Sequence, residues 1–563
     1  MAAPIMPSGV FSARHRSDVV EQAGELLDAT GSASHDAGGE SRAIARWVVR
    51  GALHLLVWAS VAVPTAVELA RGWRPYGDDA AIASRAYQVF SSHPPLSGLA
   101  SAASNQTGHE LYGLGPLLFD LLAVPVRLDP ARGLLWGAAL WCGLVLSVAL
   151  EAAWRCRGWL AAAIVALAVF DLLWRTPSVF ANLAWNASFP VLFLLAAVVS
   201  CWAVGTGSRR WWPVLVACAS VVAQCHLFLV LPAFLLVVAG LALGLRLGTG
   251  RLGWVVAGVG VGVLCWIEPL IQQLADRPGN LVTVATSAGG QQELGVSFAL
   301  RDLAMAGALH PIWSTRLPSG FFPLAALETA YPAWYGGVLL GVLALVTLVA
   351  LATGRRALGS FAAATAALSV GLVVSLAIFP DKNILSLGYL VVPFWLVGLA
   401  LWLVAGWCLA VALEVLWRWW ARRRGSTPLE GRARSAAHLG LAAIVAAAVG
   451  GAGALGLVAG ADPPAAGWSP RAVTELAQAG AAIERMVPPG PVTVRVLGGG
   501  FYATTWLTEA LAYRLEVAGW RPGTTGPAAT YTGLVVRPGA RRVLVRLSRA
   551  GPPSVRLVPV GRR

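Results

Sequence analysis

Eleven long apolar runs, separated by short connections that carry arginine, constrain this chain more than any other feature. The first, 47–69, holds 23 residues and as a helix would reach about 34 Å, enough to cross a hydrocarbon core of about 30 Å. The rest lie at roughly 131–151, 158–174, 188–205, 212–228, 229–247, 253–271, 335–353, 358–379, 388–416 and 438–459. The stretch 211–247 is long enough for two crossings and divides at its polar cluster, Gln224-Cys225-His226. Lipid offers the backbone no hydrogen bonds, so runs of this length read as helices.

Composition agrees. Only 12% of residues are charged and 57% are hydrophobic, whereas a soluble domain carries about 25% charge. The formal charge of +15 would suggest a nucleic-acid partner in a soluble protein. Here it follows membrane topology, and no nucleic acid is expected. With the N-terminus in the cytoplasm, the inner connections hold Arg155 and Arg157, Arg209 and Arg210, Arg246 and Arg251, and Arg355 and Arg356. The last of them adds Arg418, Arg422, Arg423, Arg424, Arg432 and Arg434, while the opposing short loops hold only Arg175 and Lys382. That asymmetry is the positive-inside pattern. The expected architecture is a polytopic α-helical protein of the plasma membrane, with about eleven spans and its C-terminal domain outside.

Residues 1–45, rich in Ala, Ser and Gly, lack an apolar core followed by a cleavage site and read as a disordered cytoplasmic tail. The membrane domain then covers 46–460, with large outer loops at 70–130 and 272–334. Within the first loop, Leu114–Leu128 is apolar but too short to span and reads as a re-entrant or interfacial helix. The segment 461–563 changes character, with 13 Arg against 5 Asp plus Glu. Ser469-Pro470 starts a helix that runs to Met486. Val492–Leu497 reads as a strand, Thr504–Ala518 as a helix closed by Gly519, and Leu534–Arg537 and Val543–Leu547 as strands. This is a small extracytoplasmic α/β domain. Gly498-Gly499-Gly500 fits no nucleotide-binding pattern and reads as a turn. The seven cysteines form no CxxC pair, so neither a zinc site nor a disulfide framework is indicated.

Chemistry concentrates in the first outer loop. Asp78 and Asp79 are adjacent carboxylates just beyond the first span. They can serve as a general base toward a sugar hydroxyl, or hold a divalent cation such as Mg2+ or Mn2+. The bland alternative is that Asp78 caps a helix beginning at Ala80, with Asp79 in its first turn. His93-Pro94-Pro95-Leu96 and His109-Glu110 follow in a proline-stiffened loop whose polar groups can position a ligand. Glu268, at the outer end of the seventh span, is an acid at membrane depth and thus a substrate-binding candidate. Lys382, in the turn Asp381-Lys382-Asn383, can meet a phosphate as a point charge. His310, Arg316 and Arg301 in the second large loop are further candidates. His226, Asp120 and Asp171 read as structural.

The acidic pair, the His-Pro-Pro-Leu turn and the Gly115-Pro116-Leu117-Leu118 helix start resemble the GT-C membrane glycosyltransferases. Within them, the chain is similar to bacterial polyprenyl-phosphate-dependent mannosyl-, aminoarabinose- and arabinofuranosyltransferases. Asn182–Asn186 through Phe189-Pro190, and Pro269 through Gly279-Asn280-Leu281, match as well. The resemblance implies that Asp78 or Asp79 is the catalytic base or metal-binding acid, and does not say which. It implies a polyprenyl-phosphate-linked sugar donor, a glycan or lipid acceptor of the cell envelope, and inverting transfer on the outer face, where nucleotide sugars are absent. Two alternatives are weighed against it. A transporter or flippase of lipid-linked glycans would want paired charges within spans and internal repeats, whereas the sequence shows no repeat and its spans are nearly free of acid, the polar residues gathering in outer loops. A non-catalytic envelope-assembly protein would use the basic C-terminal domain to bind polymer.

Overall fold

The computed structural model describes residues 46–101, 104, 110–175, 183–246, 252–287, 292–308, 331–380, 388–423, 469–525, 527–548 and 553–558. Two compact units, 1–55 and 56–563, divide the chain. In the first, the described residues are helical, with the Arg50 guanidinium 5.5 Å from the Trp47 ring centroid.

The protein is a polytopic helical membrane protein with a small α/β domain. Helix α1 is Arg46–Ala70. It is followed by α2 (Asp78–Gln88), α3 (Leu117–Leu128), α4 (Gly133–Arg157), α5 (Trp159–Arg175), α6 (Phe189–Gly205) and α7 (Trp212–Cys225). Then come α8 (Val230–Arg246), α9 (Leu252–Ala275), α10 (Asn280–Ser287), α11 (Gly295–Gly307), α12 (Ala333–Ala352), α13 (Arg356–Ala377) and α14 (Val392–Arg423). Among the described residues, seven helical stretches are long and apolar enough to cross a membrane. Three more expected spans are helices of only 17, 17 and 14 residues, namely α5, α6 and α7. The eleventh, 438–459, lies outside the described residues, as do the tail 1–45 and most of the loop 272–334 beyond Ala308.

Helix α6 is apolar all round and buried along its whole length, packed by α4, α7, α8 and α13, as such a helix must be. In contrast α9 and α12 leave most of their apolar surface uncovered. The expected division at Gln224-Cys225-His226 is a real break. His226 is extended at φ −150°, ψ 124°, and its Nδ1 accepts from the Phe228 amide at 3.3 Å, opening a short 3-10 turn before α8. The short helix expected over Leu114–Leu128 starts three residues later, at Leu117 after Pro116, and lies between α2 and α4.

The C-terminal domain comprises α15 (Pro470–Met486), β1 (Pro491–Leu497), α16 (Phe501–Val517), β2 (Arg521–Thr524), α17 (Pro527–Thr532), β3 (Arg541–Arg546) and β4 (Ser554–Val558). Ser469 caps α15, its hydroxyl accepting from the Ala472 amide at 3.1 Å, and Gly519 follows α16 at φ +92°. The sheet order is β2-β1-β3-β4, parallel except for β4. One expected strand is wrong. Residues 534–537 form no strand, and the second strand is Arg521–Thr524 instead. Pro522 and Gly523 hide it from a β-propensity reading. The glycine is needed there, since a Cβ would come within 2.9 Å of the Val535 carbonyl oxygen of the segment crossing over it.

Candidate functional site

The first outer loop turns sharply at Gly77, whose φ of +60° and ψ of −136° suit glycine. Its carbonyl accepts from the Ala80 and Ala81 amides at 2.8 and 3.1 Å, which starts α2 at Asp78. Gly77 is thus the cap, and no side chain caps the helix. The capping role expected for Asp78 does not hold. Both aspartates instead occupy the first turn, where the helix dipole favours negative charge. The following Ala80-Ala81-Ile82-Ala83 is fully buried, and these mostly small side chains let α2 lie close against α3 and α16.

The two carboxylates are not equivalent. Asp79 is only 4% exposed. Asp78 is half-buried, and its Oδ2 accepts a 3.0 Å hydrogen bond from the indole Nε1 of Trp185. The Trp185 ring meets Tyr389 edge-on at 4.9 Å, and Tyr389 meets His226 at 5.8 Å. The segment before α6 and the start of α14 thereby support the same carboxylate. Burial pushes Asp78 above the usual carboxylate range, and the Trp185 bond pulls it partly back.

The C-terminal domain contributes as much as the membrane helices. Helix α16 runs along α2, with Trp506 packed so closely on Gly77 that a Cβ there would come within 2.8 Å of the ring. Trp506 also meets Tyr76 edge-on at 6.5 Å. Further along, the Glu516 carboxylate accepts from Ser84 Oγ at 2.6 Å and Gln88 Nε2 at 3.1 Å. The Tyr513 hydroxyl donates to the Pro130 carbonyl at 2.8 Å. Between these contacts on one helical stripe sits Glu509, 1% exposed. Burial and then the charge of Asp78 raise it well above the usual range.

The loop bearing the histidines is held separately. The Gly98 amide donates to the Gly113 carbonyl at 2.9 Å, and the Gly113 amide donates to the Leu99 carbonyl at 2.8 Å. Asn280 grips the same strand-like piece, accepting from the Tyr112 amide at 3.1 Å and donating to the Tyr112 and Gly113 carbonyls at 3.2 Å. Gln224 donates to the Cys265 carbonyl at 2.6 Å and accepts from the Leu117 amide. His93 is exposed beside Ser92, and Glu110 is exposed and accepts from the Tyr112 hydroxyl at 3.0 Å. No hydrogen bond joins either of them to the aspartates. Glu268 meets Asp120 rather than Asp78. Burial, then the Glu268 charge and hydrogen bond, raises Asp120. Arg301 is exposed on α11. His109, His310, Arg316 and Lys382 lie outside the described residues.

Three residues at the site escaped sequence reading: Trp185, Trp506 and Glu509. Trp185 sits inside the Asn182–Asn186 stretch and carried a signal of place though not of role. Glu509 and Trp506, more than 400 positions from Asp78, gave none. Among the described residues, no three His, Cys, Asp or Glu side chains gather in a group that could hold a metal ion.

No family model and no curated protein matches this chain. Among solved structures, it is similar to ArnT from Cupriavidus metallidurans bound to undecaprenyl phosphate, at 16% identity and TM-score 0.46, covering 89% of this chain and 93% of that one. It is also similar to the Archaeoglobus fulgidus oligosaccharyltransferase in its apo form, at 13% identity and TM-score 0.38, over 89% of this chain and 69% of that one. A third is the Archaeoglobus fulgidus oligosaccharyltransferase AglB in complex with an inhibitory peptide and a dolichol-phosphate, at 13% identity and TM-score 0.36, over 88% and 69%.

Proposed function

We propose that the chain is an inverting glycosyltransferase that moves a sugar from a polyprenyl-phosphate donor to a glycan or lipid acceptor on the outer face of the membrane. The observation that carries this reading is the setting of Asp78: a half-buried carboxylate at a helix start, aimed by Trp185 and covered from the C-terminal domain by α16. The motifs of the first loop and the arginine asymmetry of the connections support it.

In the proposed reaction, Asp78 takes the proton of the acceptor hydroxyl as its oxygen attacks the anomeric carbon. The bond from that carbon to the phosphate oxygen breaks, and polyprenyl phosphate leaves with the electron pair. A base whose proton affinity is raised by burial suits a neutral hydroxyl better than an ordinary surface carboxylate does. Asp79 supports the helix start, and Glu509, whose carboxyl burial and the charge of Asp78 push toward its neutral form, packs from α16 on the same side.

Proteoliposomes supplied with a polyprenyl-phosphate sugar and membrane glycans test the reading. Release of polyprenyl phosphate together with a lengthened glycan is expected. Transfer from a nucleotide sugar without lipid donor, or passage of a lipid-linked glycan across the bilayer without bond cleavage, would overturn it.

A further inference from the structure

The sheet of the C-terminal domain has two unlike faces. Alternate residues of a strand share a face, and so do partners directly opposite in a ladder. The register therefore sets Val492, Val494, Val496, Val543 and Val545 on one face, all buried. The opposite face carries Arg495 of β1, Arg542 and Arg546 of β3, and Arg556 of β4, which pairs with Leu544. All four arginines are exposed. Strands lie about 4.8 Å apart and alternate residues about 6.6 Å apart along each, so four guanidinium groups share one small patch.

Nothing acidic among the described residues of the domain answers them. Glu475 pairs with Arg471 and Glu484 with Arg514, while Glu509 and Glu516 face α2. Four like charges on one face repel one another, and a folded domain gains nothing from gathering them.

A crevice opens at the carboxyl end of β1 and runs from this face toward α16. It measures about 980 Å³ and is lined by Thr493, Arg495 and Arg542 on the arginine side, by Gly498 at the strand end, and by Thr504 and Thr508 of α16. Thr493 is only 5% exposed, and its hydroxyl makes no hydrogen bond. A buried hydroxyl without a partner is uncommon in a finished fold and calls for an explanation. The place is also the topological switch point of the sheet, since β1 has β2 on one side and β3 on the other. In open α/β sheets, ligands settle in the crevice outside the carboxyl ends of such strands. Gly498, at φ +92°, turns there so tightly that a Cβ would come within 2.9 Å of the Leu547 carbonyl oxygen.

We propose that this crevice binds a sugar carrying an oxyanion, phosphate or carboxylate, with Arg495 and Arg542 holding the oxyanion and Thr493 meeting a polar group of the ligand. Guanidinium forks match both oxyanions through paired N–H donors. The volume lies within the range of small-ligand sites. A flat anionic membrane would engage the protruding arginines but would leave the recessed hydroxyl unused. The site is separate from Asp78, because α16 lies between α2 and the sheet.

Calorimetric titration of the full-length protein in a neutral detergent tests this, with glucose 1-phosphate, glucuronate, inorganic phosphate and neutral glucose as probes. Saturable binding of the two acidic sugars is expected, weakened by salt, with glucose failing to bind. R495A/R542A should lose at least about tenfold in affinity, one good charge-assisted contact or more. Thr493→Val should weaken binding severalfold while leaving glycosyl transfer unchanged. Four results would overturn the proposal. One is no saturable binding of either acidic sugar below about 10 mM. Another is undiminished binding by the double variant in folded form. A third is inorganic phosphate binding as tightly as glucose 1-phosphate, which assigns the crevice to free phosphate. The last is arginine-dependent recruitment to phosphatidylglycerol vesicles that acidic sugars fail to compete, which assigns the face to lipid.

Discussion

The indole of Trp185 donates a 3.0 Å hydrogen bond to Oδ2 of Asp78, joining the segment before α6 to the first turn of α2. As a base Asp78 must be ionised, so transfer should fall as pH drops through its raised pKa. Trp185→Phe keeps the edge contact with Tyr389 but removes the donor that lowers that pKa. The acid limb of the pH–rate profile should then move up by about one pH unit, the scale of about 1.4 kcal/mol lost from the charged form. An unshifted profile would make Trp185 a packing residue only.

Gly77 is confined twice, by its positive φ and by the Trp506 ring. Gly77→Ala should cost about 1–3 kcal/mol of stability. By displacing the start of α2, it should also slow transfer by about 100-fold. Adding Trp506→Ala removes the collision but not the backbone strain, so stability should recover only in part. Thermal unfolding and initial rates check both statements.

Glu516 ties α16 to α2 through Ser84 and Gln88. Glu516→Ala removes both bonds to a charged acceptor, each worth about 1.5–3 kcal/mol. Limited proteolysis should then release the C-terminal domain at least about tenfold faster. Equal cleavage rates would place the hold on that domain elsewhere.

The buried carboxyls also set a stability trend. Glu509 has a folded-state pKa above its unfolded one, so the folded protein binds more protons in that window. Its contribution is fully present below the unfolded pKa and is lost as pH rises through the folded value. Thermal stability should therefore decline toward neutral and alkaline pH, and Glu509→Gln should flatten that decline and raise the midpoint by a few degrees at neutral pH. A decline unchanged in the variant would move its cause to other groups.

What the sequence disclosed follows the range of each interaction. The spans, the break at His226, the short helix Leu117–Leu128 and the Ser469 cap depend on neighbours within a few residues, and all are visible as hydropathy or cap chemistry. The strand at Arg521–Thr524 was hidden because Pro522 and Gly523 are poor strand formers, the glycine being there for a close backbone approach. Asp78 and Asp79 stood out as charge beyond a membrane helix, but their inequivalence was not legible. It arises from Trp185 and from Trp506 and Glu509, which only tertiary packing brings to α2. Asp120 read as structural because its partner, Glu268, lies 148 positions away.

The central claim is that Asp78, rather than Asp79, is the base, and the most direct measurement compares Asp78→Asn with Asp79→Asn for sugar transfer in proteoliposomes. Asp78→Asn should lower the rate by about 10²–10⁴-fold, the usual worth of a general base, while donor lipid still binds. Asp79→Asn should retain transfer within about tenfold, since the amide keeps the side chain's shape in the buried first turn of α2. Full activity in Asp78→Asn, or loss confined to Asp79→Asn, would contradict the assignment.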